Sequence, residues 1–215
     1  MSKAFTDAHF SAQITEDRNW RIKEISDLKS AIRRSDAGLQ RVLLRSLVAI
    51  CYAHWEGYVR FSAKKYLEYI ARRRLLYRDL DRQFFRNHFL PRLGALAASK
   101  ANIIDRCALI DEILDPADRR FSQVNDDLIN TKANLNSEVF ADICRVCGVS
   151  AETFGEKSTF IDVVLLKRRN SIAHGEDTMI ALSDLNVLSE ETIELMRLFG
   201  DALENYVVLQ TYKAQ

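Results

Sequence analysis

Glycine and proline are scarce in this chain, seven and two among 215 residues. So few turn-forming positions leave little room for hairpins and favour long, uninterrupted helices. A charge of one sign is also missing, since 31 Lys and Arg stand against 30 Asp and Glu for a formal net charge of +1. That balance excludes a general affinity for nucleic acid or membrane, so any such surface has to be local. No apolar run approaches the length of a bilayer crossing, and the amino-terminal MSKAFTDAHFSAQ has no apolar signal core. The expectation is a soluble cytoplasmic protein without membrane contact. A Walker-type glycine loop, G-x-G-x-x-G, H-E-x-x-H and a nucleophile elbow are all absent, which removes the chemistries those motifs serve. Among four cysteines, Cys144 and Cys147 form a C-x-x-C, but no second pair and no nearby His-x-x-x-His completes a tetrahedral metal site. Buried thiols at Cys51, Cys107, Cys144 and Cys147, with no metal and no cofactor, are the expectation.

The chain has 47% hydrophobic residues, enough to bury a sizeable core in one domain spanning 1–215. Apolar and aromatic positions Ile14, Trp20, Ile25, Leu28 and Ile32 mark a first helix over 11–34, and Ser35-Asp36 supplies the start signal of the next. From Leu39 the series Val42, Leu43, Leu47, Ile50, Tyr58 and Phe61 keeps helical spacing, which predicts a long second helix running to about residue 79. Residues 80–130 are less regular. Pro91 and Asp115-Pro116 are expected to break them into short helices laid against the main bundle. Asn136 or Ser137 caps a helix ending at Gly148, another runs from about Ser158 to His174 and stops at Gly175, and Ser189 with Glu190 and Glu191 opens the last. The fold class is all-α, with four principal helices and an additional helical elaboration around 80–130.

The segment 168–176, RRNSIAHGE, carries the candidate chemistry. At 100° per residue Ile161, Val164, Leu165 and Ile172 share one face, while Val163, Leu166 and Ala173 form a second apolar stripe, the pattern of a central helix. Between them runs a polar strip of Lys167, Asn170, Ser171 and His174. Asn170 lies four residues before His174, placed to orient its imidazole. Arg169 lies five residues before His174, about 140° away around a straight helix. Either the helix loosens at Gly175 or a second copy of the chain completes the site. Equally, an arginine in a last helical turn and a histidine before a C′ glycine serve as an ordinary cap. His54, beside Trp55 and Glu56, reads as a packed, semi-buried histidine, and His9 and His88 show no partner pattern.

These residues resemble the R-x4-6-H signature of the HEPN superfamily, in which a polar residue follows the arginine. The stretches AHWEGYVRFSAKKYLEYI at 53–70, NLNSEVFADICRVCG at 134–148 and the terminal LMRLFGDALENY resemble a bacterial HEPN subfamily of defence and toxin-antitoxin settings. The resemblance implies a HEPN-like four-helix bundle that dimerises and joins two motifs into one metal-independent ribonuclease site. It also implies an antitoxin or defence-system protein as partner. Some HEPN toxins have a tyrosine two residues after the histidine that a partner modifies. Here that position is Glu176, so an antitoxin that blocks the site by binding is the expectation.

The chemistry stands without the family. RNA carries its own nucleophile in the 2′-hydroxyl, so cleavage needs proton transfer, a cation for the crowded phosphate, and alignment. Histidine as a residue type titrates near 6.5, so one neutral copy accepts a proton while a charged copy donates one. Arginine stays charged and grips phosphate oxygens bidentately. The catalytic candidates are therefore His174 for proton transfer, Arg169 for phosphate stabilisation and Asn170 for orientation. Arg168 is the alternative arginine, and Lys167 and Ser171 stand beside it as substrate-binding candidates. Arg74, Arg78, Arg82 and Arg86 recur at four-residue spacing, thickened by Arg72, Arg73 and Arg92. If the helix continues that far they form a basic ridge able to follow an RNA backbone. The alternative is a solvated face paired with Asp111, Glu112, Asp115 and Asp118.

Overall fold

The computed structural model describes residues 5–98, 102–114, 119–132 and 134–214. Among the described residues seven α-helices run in chain order: α1 (Asp7–Arg34), α2 (Ala37–Arg73), α3 (Arg82–Ala98), α4 (Ile103–Leu114), α5 (Ser137–Cys147), α6 (Arg168–Ala173) and α7 (Asp184–Val208). A π-helical segment, Phe160–Lys167, leads straight into α6. Among the described residues there are two isolated β-bridges, Leu76 with Arg120 and Leu80 with Lys213, and no strand. The architecture is all-α, as the scarcity of turn residues implies.

Local chemistry sets the helix ends. Thr6 accepts a hydrogen bond from the His9 amide at the start of α1, and Asp36 accepts one from Leu39 N at 3.0 Å to open α2. Asn136 takes the same role for α5, from Val139 N at 2.7 Å. Gly148, at φ +71°, closes α5 with bonds from its own amide to Arg145 O and from Val149 N to Cys144 O, the paired pattern of a Schellman cap.

The central element is α2, about 55 Å long at 1.5 Å per residue. Its buried positions occur on nearly every face, including Leu47, Val48, Cys51, Tyr52, Trp55, Tyr58, Val59, Tyr66 and Ile70, as a helix enclosed by others requires. It packs against α1, α7, α5, α6 and the π segment. Trp55, Phe140, Phe154 and Phe199 meet edge-on at its middle, the arrangement the ring quadrupoles favour.

Several sequence expectations are corrected. The central helix is α2 rather than the motif helix. In the motif helix Ile161 and Leu165 are buried, but Val163 is 49% exposed and Ala173 is exposed. The π segment is the reason, because i→i+5 bonding abandons the 100° step on which two buried stripes were counted. The second helix ends at Arg73, and Arg74 is left-handed at φ +52°. There the chain turns out to pair with 119–121, through Tyr77 N to Arg119 O and Phe121 N to Leu75 O. Pro91 lies inside α3 and does not break it; Phe84 and Phe89 on the same helix are buried and hold it across the missing amide. The Asp115-Pro116 break lies outside the described residues. The last helix begins at Asp184, and Ser189 is internal: its hydroxyl donates back to Leu185 O at 2.8 Å, which satisfies the serine without ending the helix. Cys51, Cys144 and Cys147 are buried as expected, but Cys107 is exposed. Burial pushes the Cys51 and Cys144 thiols up to about 12. No His, Cys, Asp and Glu cluster able to hold a metal occurs among the described residues.

Residues 80–130 lie against the bundle through α3. The Asn87 amide donates to Val146 O at 2.7 Å, and Phe84 enters the main core. Glu112 on α4 receives Arg92 at 2.6 Å and also Arg119.

Candidate active site

The motif sits where α6 ends. Gly175 adopts φ +79°, its amide bonds to Ile172 O at 3.1 Å, and Glu176 N bonds to Ser171 O at 3.0 Å, a second Schellman cap. This places His174 on the last turn, exposed to solvent, with its amide on Asn170 O at 2.9 Å. The loop beyond is fixed to the first part of α2: Arg45 donates to Glu176 O at 2.9 Å and Thr178 O at 3.0 Å, and Arg41 pairs with Asp177.

The two arginines take different partners. Arg168 Nη1 lies 2.8 Å from Asp184 Oδ2, tying α6 to the first turn of α7. Arg169 turns towards α2, its guanidinium carbon 4.1 Å above the centre of the Tyr52 ring. Tyr52 is only 2% exposed, and its hydroxyl accepts a hydrogen bond from Leu135 N at 2.6 Å. Burial raises the phenol above its usual range, against the Leu135 bond and the Arg169 charge, which lower it. Sequence reading missed Tyr52. Nothing in its own helical spacing reports that a side chain from a helix more than a hundred residues later lies across its ring.

Within one protomer the structure links Asn170 to His174 through the main chain. No side-chain hydrogen bond among the described residues joins the Asn170 amide to the imidazole, and Arg169 faces Tyr52 on α2 while His174 is open to solvent. Lys167 is exposed and Ser171 half-buried on the same turn. The basic ridge is not formed as a single helical face. Arg74 is the left-handed cap of α2, Arg78 lies in a 3-10 turn (Tyr77–Asp79), and only Arg82 and Arg86 share a helix, α3. Glu112, named as a balancing carboxylate, pairs with Arg92 of that basic region and also with Arg119; Asp115 and Asp118 lie outside the described residues. His54 is 4% exposed, with Nε2 2.8 Å from Glu24 and its ring edge-on to Trp20, the packed histidine expected.

An enclosed central helix, an R-x4-H whose histidine emerges at a glycine-capped helix end, and a following helix clasped to that motif by an arginine fit a HEPN-type protein. Comparison with protein families gives the same class: residues 16–205 match the model of the family described as RiboL-PSP-HEPN, and the chain belongs to that family. No curated protein and no solved structure matches it. Among the described residues no helix is long and apolar enough to cross a membrane.

Proposed function

We propose that the protein is a metal-independent endoribonuclease whose site is shared between two copies of the chain, acting as a toxin or antiviral effector that a binding partner restrains. HEPN membership supports an RNase-like or RNA-binding module. The observation that carries the finer reading is the intact R-x4-H, with His174 open to solvent at the end of a rigidly capped helix. His174 moves the proton between the 2′-hydroxyl and the leaving 5′-oxygen. Arg169 stabilises the phosphate, and Asn170, Ser171 and Lys167 line the approach. A second copy completes the site, because Arg169 is turned against Tyr52 on α2 while His174 faces solvent. Exposed apolar side chains lie on the segments around the motif: Val163 ahead of it, Met179 and Leu182 in the loop after it, and Leu39 and Val42 on the turn of α2 that holds that loop. Such a surface is what a homodimer covers.

A second reading, a non-catalytic module that binds RNA or protein, draws on the engagement of Arg168 and Arg169 by Asp184 and Tyr52. Labelled RNA incubated with the purified protein in EDTA separates the two. The nuclease cleaves, His174→Ala loses about 10²–10⁴-fold in rate, and Arg169→Ala abolishes growth arrest on expression. RNA bound but left intact by the wild type assigns the protein to the second reading.

A further inference from the structure

The interaction between Tyr52 and Arg169 belongs to no part of the R-x4-H motif, yet it fixes where the motif's cation can point. Arginine is a long side chain with many rotamers, and holding a guanidinium beside a phosphate normally costs that freedom. Here the cost is met in the folded state before any substrate arrives. The guanidinium carbon lies 4.1 Å over the ring, within the range of attraction between a cation and the negative face of an aromatic. The ring itself cannot swing: it is 2% exposed, sits midway along the enclosed α2, and its hydroxyl is tied to Leu135 N just ahead of α5. The ring face lies against the guanidinium. Its N–H donors lie in the plane, along the edge, and recognition of a phosphate uses that edge.

We propose that Tyr52 is a positioning residue for the ribonuclease site: its ring is the platform that holds Arg169 flat and aims the guanidinium edge at the scissile phosphate. The role rests on the nuclease reading above. Tyr52 touches neither substrate nor the reacting atoms, and acts through Arg169. The hydroxyl contributes by anchoring the ring at Leu135 N and as a hydrogen-bonding neighbour of Arg169, while the ring carries the role.

The test compares Tyr52→Leu, which removes the ring, with Tyr52→Phe, which keeps it. Both are checked for folding by circular dichroism and melting. Misplacing a catalytic group by about an ångström costs on the order of 10²-fold, so folded Tyr52→Leu is expected to lose about 100-fold in kcat with a much smaller change in KM, and Tyr52→Phe to recover most of it. Should Tyr52→Leu fail to fold, Tyr52→Met repeats the comparison with a side chain closer in volume. A second readout needs no activity: the Arg169 Nε–H resonance, identified by its loss in Arg169→Lys, should move when the ring is removed and stay near its place in Tyr52→Phe. A folded ringless variant as active as the wild type overturns the proposal. So does a resonance that ignores the ring, or a Tyr52→Phe as impaired as the ringless variant. A wild type that leaves RNA intact defeats the nuclease reading instead, and is seen in the wild-type reaction alone.

Discussion

Arg168 and Arg169 are adjacent and identical in chemistry, yet the fold gives them separate tasks. Arg168 is bound to Asp184 at 2.8 Å and fastens α6 to α7; Arg169 is the stacked cation. The sequence leaves both open as the motif arginine, because spacing to His174 tolerates either. The choice is made by what lies opposite, which a linear pattern does not contain. Gly175 is different, since its part can be read locally: a glycine after the last periodic residue predicts a left-handed cap, and the observed φ is +79°. An alanine there pays the left-handed penalty, about 1 kcal/mol. Gly175→Ala is therefore expected to lower Tm by about 2–4 °C in calorimetry and to loosen the turn that presents His174. A second glycine, Gly200, has no such signal. A Cβ there would come within 2.2 Å of the Tyr58 hydroxyl and 2.9 Å of Arg18 Nη1, so α7 approaches α2 closely at this point. Overpacking costs about 1–3 kcal/mol, against about 1 kcal/mol gained in helix propensity. Gly200→Ala should lower Tm despite being the better helix former.

At the scale of elements, helix starts were legible at Asp36 and Asn136, where one side chain caps one amide, but not at Thr6, which opens α1 four residues ahead of the expected start; helix stops were legible at Gly148 and Gly175. Where tertiary pairing or buried packing decides, reading failed. The end of α2 at Arg73 depends on a bridge to residues more than forty positions away, and α3 passes through Pro91 because its aromatic face is buried. The π segment had no signature, since the run Phe160 to Leu166 is apolar but for Asp162 and fits either register. The contact between α1 and α2 carries a pH dependence. Burial lowers the His54 titration from its ordinary 6.5, outweighing the Glu24 carboxylate that raises it; His88 is lowered too, by burial and by Arg119 and Arg92. A histidine that binds its proton more weakly when folded leaves the unfolded chain with more protons at acid pH, so stability is complete above the unfolded value and falls as pH drops through it. Melting temperature should decline between about pH 7 and 5, and His54→Gln should flatten that decline. A decline of the same slope in His54→Gln would place the sensitivity elsewhere.

At the scale of the molecule, all-α architecture followed from composition alone, because so few glycines and prolines leave nothing but long helices. Which helix lies at the centre did not follow: α2 and the motif helix are both rich in apolar residues, and only packing shows that the motif helix has an open side. That open side is where the proposed assembly is expected. Val163, Met179 and Leu182 are exposed on the segments that precede and follow α6, so Val163→Asp or Met179→Asp is expected to turn a dimer into monomers in light scattering and to lower cleavage with it. Retained dimers with either substitution would move the interface to another face. The central claim is that His174 and Arg169 cut RNA through its own 2′-hydroxyl. Its most direct test is the chemistry of the ends that wild type and His174→Ala leave on a labelled RNA in EDTA. The account predicts a 2′,3′-cyclic phosphate and a 5′-hydroxyl from the wild type, formed at least about 100-fold more slowly by His174→Ala; equal cleavage by the two proteins, or RNA left whole by both, would contradict it.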